Sequence, residues 1–354
     1  MQQPILSAML SCQGLYLTDK EKYLFNKYNP IGVTLFNRNI STISQVQQLV
    51  AEIKSVIGRN DVLIAIDQEG GRVSRLANLD IGNFASAESL GRVDVKYSKI
   101  HAKLISQHLR ELGINVNYSP VVDKIYFPQS PVLKTRCFSS NMRKIVSRAT
   151  EMADAYIRQG ICPCIKHIPG HFNTIIDPHL NLLKSNKSQK EILKDITYLR
   201  AFSNYPMLMT SHIILENIDN KNPTSYSHRI ISEIIRDYIG FDGFLISDAI
   251  DMHALTGDIE QKAKMCIDAG CDAICYCAGI YDEMEAICQQ NIFMSDKTLN
   301  RFDKIKNIIN NKPRRENINI LKDKYIQKLE CYLDEKYSYD ATEVLHCMQQ
   351  KRRQ

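Results

Sequence analysis

Apolar residues in this chain fall in short runs, separated by longer stretches where they recur every three or four positions. The runs are IGVTLF (31–36), VLIAID (62–67), INVNYSPVVD (114–123), ICPCIKH (161–167), YPMLMTSH (205–212), GFLISD (243–248) and CDAICYC (271–277). Most are continuous rather than alternating, the pattern of strands buried on both faces of a parallel sheet. Helical periodicity covers 42–57, 96–112, 141–159, 188–202, 228–239 and 258–269, and Gly113, Gly160, Gly240 and Gly270 stand where helices would stop. This alternation specifies the α/β class. Seven strand candidates with helices between them point to a (β/α)8 TIM-type barrel more than to an open doubly wound sheet. An open sheet of the dinucleotide-binding kind would carry a G-x-G-x-x-G turn after an early strand, and none is present.

The polar residues able to do chemistry cluster where these strands end: Asp67, Asp123, Lys166 with His167, His212 and Asp248. In a barrel all C-terminal strand ends converge on one mouth, so five strands would supply one pocket. After about residue 300 the texture changes. A basic, Pro-containing stretch is followed by a stripe of Leu321, Tyr325, Ile326, Leu329, Tyr332 and Leu333 at helical spacing. The expected organisation is one catalytic barrel, residues 1–299, and a basic, amphipathic helical C-terminal extension, residues 300–354. The extension reads as a helix packed on the barrel or on a subunit neighbour, in preference to a nucleic-acid or membrane role.

Composition narrows the classes. The net charge of +6 resolves into +5 from residues 300–354, with 13 Lys+Arg against 8 Asp+Glu, so the rest is nearly neutral and no nucleic-acid partner is expected. The 11 cysteines lack framework spacing, and the start MQQPILSAMLSCQG has no basic segment and only a short apolar run. Together these predict reduced thiols, a cytoplasmic location and no membrane partner. With no tryptophan, an aromatic platform for a ligand would come from Tyr, Phe or His, and Phe172 is a candidate. The Cys162-x-Cys164 and Cys275-x-Cys277 pairs lie in apolar strands and read as core thiols rather than zinc ligands.

Three segments carry candidate chemistry. In KHIPGHFNTIIDPH (166–179), Pro and Gly punctuate an irregular loop holding Lys166, His167, His171, Asp177 and His179. Asp177 precedes a proline and favours an extended conformation, which would let its carboxylate reach His179 two residues on. Such a pair suits a group that donates and then accepts a proton; it also suits a plain loop salt bridge. In IDQEGGRVSRL (66–76), Asp67 closes a strand, and Arg72 and Arg75 follow a Gly-Gly turn. That set could grip adjacent sugar hydroxyls or an anion, or form an ion-paired turn. In FLISDAIDM (244–252), Asp248 ends an apolar strand as a nucleophile, a metal ligand or a hydroxyl acceptor.

The strings DQEGGRV, KHIPGHF followed by Asp177-Pro178-His179, GFDGFLISDAIDM and DAGCDAICYC closely resemble glycoside hydrolase family 3, in order from about residue 5 to 290. Within it they are most similar to the single-domain, cytoplasmic β-N-acetylglucosaminidases of bacterial peptidoglycan recycling. The resemblance implies Asp248 as a nucleophile forming a glycosyl-aspartate, His179 as acid/base and Asp177 as the group orienting it. It implies Asp67, Arg75, Arg136, Lys166 and His167 as contacts to N-acetylglucosamine, with overall retention and no metal or organic cofactor. The expected partner is an N-acetylglucosamine-containing muropeptide. Three departures stand out: Phe172 where the family usually has Gly, Pro178 for Ser, and Ala249 for Asp.

Three rivals stand beside this reading. A metal-dependent barrel hydrolase could gather His167, His171, His212, Asp248 and Asp251 around an ion, although no two of the nine histidines stand one residue apart. A β-N-acetylglucosaminide phosphorylase would resolve the same intermediate with phosphate. A non-catalytic sugar-binding barrel would bind without turnover.

Overall fold

The computed structural model describes residues 3–79, 81, 83–126, 133, 135–172, 182–252, 255–311, 313 and 318–333. Eight parallel strands close into a barrel: β1 (Leu6–Ser11), β2 (Pro30–Leu35), β3 (Leu63–Ile66), β4 (Val116–Asn117), β5 (Cys162–Ile168), β6 (Met207–Thr210), β7 (Phe244–Ala249) and β8 (Ala273–Cys275). Each pairs with its neighbour in chain order, and β8 pairs back onto β1 through Ala8 with Ile274 and Met9 with Cys275. The α/β (β/α)8 barrel read from the sequence is therefore the fold.

The seven apolar runs supply β2 to β8. The eighth strand is β1, whose sequence LSAMLS is buried throughout. Ser7 and Ser11 dilute its hydrophobicity, so an apolar-run criterion passes over it. Ser7 N–H donates to the Ile292 carbonyl at 2.8 Å, outside the ladders, and Ser11 Oγ takes a hydrogen bond from Arg38. The run 114–123 shortens to two paired residues, since Pro120 has no N–H to give the ladder. The chain rejoins β5 one step later, where Val122 N–H donates to the Lys166 carbonyl at 2.6 Å.

The helices cover the outside with a 3.6-residue stripe facing in. In Ile43–Ile57 the residues Val46, Leu49, Val50, Ile53 and Ile57 are buried. The side chain of Thr42 caps its start by accepting from Gln45 N–H, and Gly58 at φ 75° ends it in the left-handed conformation that glycine takes without strain. Burying each such aliphatic side chain is worth about 1.5–3 kcal/mol. Inside the barrel, Met9, Leu63, Ala65, Val116, Cys164, Met207, Met209, Phe244, Ile246 and Cys275 fill the space between strands. Phe302 and Ile305 of helix Asp296–Ile309 join this cluster at the end where the strands begin. Helix Ile318–Leu333 lies on helix Lys96–Glu111, with Tyr325 and Leu329 buried and Ile326 exposed. No helix among the described residues is long and apolar enough to cross a membrane.

Candidate active site

At the C-terminal ends of β3 and β5 five charged side chains interlock. Lys166 Nζ lies 2.5 Å from Asp67 Oδ1 and 2.8 Å from Glu69 Oε1. Glu69 also receives two parallel bonds from Arg136, at 2.9 Å from Nε and 2.7 Å from Nη2. Arg75 Nη2 stands 3.7 Å from Asp67 Oδ2. Burial alone would raise the Glu69 carboxyl, but the Arg136 and Lys166 charges outweigh it and hold it well below the usual carboxylate range. Burial likewise works against the Lys166 ammonium, and Asp67 with Glu69 reverses that and raises it. Both stay ionised at neutral pH. Asp67 is the open end of the lattice, its side chain 16% exposed.

The carrier of Glu69 is the short hairpin Gln68–Gly70 with Val73–Ser74. Asn117 at the end of β4 pins it, accepting from Gln68 N–H at 3.0 Å and donating to the Gln68 carbonyl at 2.9 Å. Gly70 sits at φ 96°, and a Cβ there would meet the Ala85 carbonyl oxygen at 2.4 Å. Only glycine fits this approach.

Across the mouth, Asp248 ends β7 with its side chain 18% exposed. Its Oδ1 accepts from Ala249 N–H at 2.7 Å, and among the described residues no donor lies within bonding distance of Oδ2. His167 Nε2 is the near neighbour, at 4.0 Å. Burial pushes the Asp248 carboxyl up, but His167, His212 and the Ala249 N–H more than compensate and lower it to about 2. The group is an anion with one oxygen left for a ligand.

The imidazoles are fixed from behind by Asp123, buried after β4. Its Oδ2 accepts from His167 N–H at 3.1 Å and Nδ1 at 2.7 Å, and its Oδ1 accepts from His171 N–H at 2.9 Å and Nδ1 at 3.0 Å. Burial brings the His167 imidazole down to about 4 despite Asp123, so at neutral pH its Nε2 faces the mouth as an acceptor. His212 is spent on Ser225 Oγ at 2.7 Å and the Ala249 carbonyl at 3.0 Å.

Asp123, His167 and His171 are the one group among the described residues whose ligand atoms converge closely enough for a metal ion. The donor set does not suit one: both Nδ1 atoms and both carboxylate oxygens are already joined in hydrogen bonds. His212 is engaged elsewhere, and Asp251 accepts from Cys277 N–H at 2.9 Å. Of the five residues of the metal reading, His167, His171, His212 and Asp248 are near neighbours, and Asp251 is turned towards Cys277.

Of the residues expected at the site, Asp67, Arg75, Arg136, Lys166, His167 and Asp248 line the same mouth. Asp177 and His179 lie outside the described residues, as does Pro178. Phe172 is 4% exposed, its ring buried with Lys187 Nζ 5.9 Å away, so it offers no open platform. Its φ of 49° is the left-handed region, where the glycine of the resembled motif costs less strain. Sequence reasoning passed over Glu69 and left Asp123 without a role. The Asp67-x-Glu69 spacing was the available signal, since residues two apart in an extended segment project to one side.

The model of the glycosyl hydrolase family 3 N-terminal domain matches residues 8–305. A beta-hexosaminidase of Bordetella avium is 30% identical over 281 residues, 76% of this chain and 79% of the relative. A beta-hexosaminidase of Pseudomonas aeruginosa is 30% identical over 283 residues, 75% of this chain and 80% of the relative. Among solved structures, NagZ from Neisseria gonorrhoeae in complex with N-trifluoroacetyl-D-glucosamine is similar in fold. Its TM-score is 0.81 at 24% identity, covering 93% of this chain and 97% of that one.

Proposed function

The chain belongs to glycosyl hydrolase family 3, and on that premise we propose that it is a retaining exo-β-N-acetylglucosaminidase acting through a covalent glycosyl-aspartate. It is a glycoside hydrolase of the β-N-acetylhexosaminidase kind, like the relatives named beta-hexosaminidase. The observation that carries the mechanism is Asp248 itself: ionised, one oxygen steadied by Ala249 N–H and the other open to the mouth. Such an oxygen can attack an anomeric carbon held in line. The bond to the aglycone breaks as the ester forms, and the ester is then broken by water entering from the face the aglycone left, opposite Asp248, so that two inversions return the original configuration.

Opposite the nucleophile, Asp67 accepts from sugar hydroxyls while Arg75, Arg136 and Lys166 hold the charge balance and donate. His167 Nε2 accepts from a hydroxyl or an amide N–H. His179, oriented by Asp177, protonates the leaving oxygen and then activates water. The physiological substrate in this reading is a muropeptide with terminal N-acetylglucosamine. Nine of the described cysteines are free thiols, which supports a cytoplasmic setting. In this reading residues 1–299 are the catalytic unit and 300–354 its extension, which begins inside helix Asp296–Ile309 and gives Phe302 and Ile305 to the barrel core.

The test is release of the aryl group from an N-acetyl-β-glucosaminide by the wild type and by Asp248→Ala, with and without phosphate and EDTA. The expected result is turnover in the wild type, insensitive to both additives, and its loss in the variant. Undiminished turnover in Asp248→Ala would remove the nucleophile. A phosphorylated sugar product would turn the reading to phosphorolysis, and loss in EDTA restored by a metal ion would turn it to the metallohydrolase. For the acid/base, His179→Ala should harm substrates with poor leaving groups far more than activated aryl glycosides. Equal losses would count against that role.

A further inference from the structure

The hairpin that carries Glu69 has a second anchor, and it comes from the other end of the chain. His101, on helix Lys96–Glu111, is fully buried directly behind it. Its Nε2 lies 3.1 Å from the Glu69 carbonyl oxygen and its Nδ1 lies 2.8 Å from Tyr325 Oη. A carbonyl has no proton to give, so Nε2 carries the hydrogen and donates it. Burial lowers this imidazole to about 4, so at neutral pH it is uncharged and Nδ1 is an acceptor. The Tyr325 hydroxyl therefore donates to Nδ1, while its oxygen accepts from Ala85 N–H at 2.9 Å.

The bonds run in one direction: Ala85 N–H to Tyr325, Tyr325 O–H to His101, His101 Nε2–H to the Glu69 carbonyl. The packing is as tight as the bonding. A Cβ at Gly70 would come within 2.8 Å of His101 Cε1, and Phe84 meets the imidazole edge-on at 5.7 Å. Tyr325 itself is 2% exposed. It lies in helix Ile318–Leu333, beyond residue 305 where the family match ends.

We propose that Tyr325 is a positioning residue for the sugar pocket: through His101 it fixes the backbone of Glu69, and so the carboxylate that holds Lys166 and Arg136 in place. The proposal rests on the reading that these two cations serve the N-acetylglucosamine ring. It gives a segment outside the family's matched region a part in substrate binding. Removing the hydroxyl leaves both His101 Nδ1 and Ala85 N–H without the partner that orders them, and the hairpin gains freedom where Glu69 begins.

The experiment compares Tyr325→Phe, His101→Leu, His101→Gln and Lys166→Ala in the full chain. For each, KM and kcat on an aryl N-acetyl-β-glucosaminide and the inhibition constant of free N-acetylglucosamine are measured well below the unfolding temperature. Tyr325→Phe and His101→Leu are expected to raise KM and the inhibition constant together, about three- to tenfold, with kcat changed less than about twofold. His101→Gln is expected to stay near wild type, since its amide can donate to the Glu69 carbonyl and accept from Tyr325. A lowered unfolding temperature with KM and the inhibition constant unmoved in Tyr325→Phe and His101→Leu would overturn the proposal and leave a purely structural contact. If Lys166→Ala also leaves both constants unmoved, the assignment of the sugar contacts falls and this inference falls with it. If Lys166→Ala raises them and the other two do not, this inference alone fails.

Discussion

The two ends of the barrel carry similar charge and do opposite things with it. At the end where the strands begin, Asp272 is 4% exposed and every lone-pair direction is taken. Its Oδ1 accepts from Arg301 at 2.9 Å and Thr298 at 3.1 Å, and its Oδ2 accepts from Arg236 at 2.9 Å and Leu245 N–H at 2.8 Å. Arg301 turns its remaining donors to Asp242, and Arg236 to the carbonyls of Phe241 and Gly243. A cavity of about 470 Å³ opens here, yet Arg236, Asp272 and Arg301 beside it are spent on their ion pairs and on backbone carbonyls. At the mouth, Asp67 and Asp248 each keep part of their carboxylate open, and Asp248 Oδ2 has no described donor within reach. What separates a fastening from a site is unspent hydrogen-bonding capacity, not charge density or cavity size.

Substitutions at the two ends should therefore separate activity from stability. The largest effect expected is at Asp248: Asp248→Asn should cut kcat/KM about 10⁴-fold, a barrier increase of about 5 kcal/mol, with only a modest fall in unfolding temperature from losing an anion the fold favours. Steady-state kinetics beside thermal unfolding reads both. Asp272→Ala should do the reverse. Leaving Arg236 and Arg301 buried without their carboxylate should remove about 3–5 kcal/mol of stability in chemical denaturation, with unchanged kcat/KM per folded molecule. A loss of activity from Asp272→Ala at full folding would erase the distinction between the two ends.

Stability should also answer to pH through the buried imidazoles. His101 and His167 are lowered from 6.5 to about 4 in the folded state. Their contribution is complete above pH 6.5 and is lost as pH falls towards 4, because the unfolded chain then binds protons that the native state refuses. His101, which has no charged neighbour, accounts for about 3 kcal/mol over that window, and His167 adds to the loss in the same direction. Asp248, lowered to about 2, extends the loss below its ordinary value of 3.8. Unfolding temperatures flat between pH 7 and 4 would contradict these environments. The smallest effect concerns the closed part of the mouth. Glu69→Gln should raise KM about tenfold, or about 1.4 kcal/mol, with little change in kcat, because the residue holds the cations and leaves the nucleophile alone.

The same comparison shows what the sequence could convey. Asp67, Lys166 and Asp248 were legible because each stands at the end of a continuous apolar run, and in a barrel that position is the mouth. Glu69 was not, since its partners lie 67 and 97 residues away and only the closed fold brings Arg136 and Lys166 to it. Asp272 was invisible for the same reason: its ion pairs join the start of β8 to two helices. β1 escaped because Ser7 and Ser11 interrupt its apolar character, although a strand paired on both sides can bury serines whose hydroxyls find acceptors or donors. The C-terminal stripe was legible as a helix. That Tyr325 would end on His101, 224 residues earlier, was not.

The most direct test of the central claim is intact-protein mass spectrometry after an acid quench, using a fluorinated N-acetylglucosaminyl fluoride whose glycosyl-enzyme hydrolyses slowly. A mass increase of one fluorinated N-acetylglucosaminyl unit is expected, mapped to the peptide containing Asp248 and missing from Asp248→Asn. Release of fluoride with no adduct in the wild type, or an adduct on another residue, would contradict it.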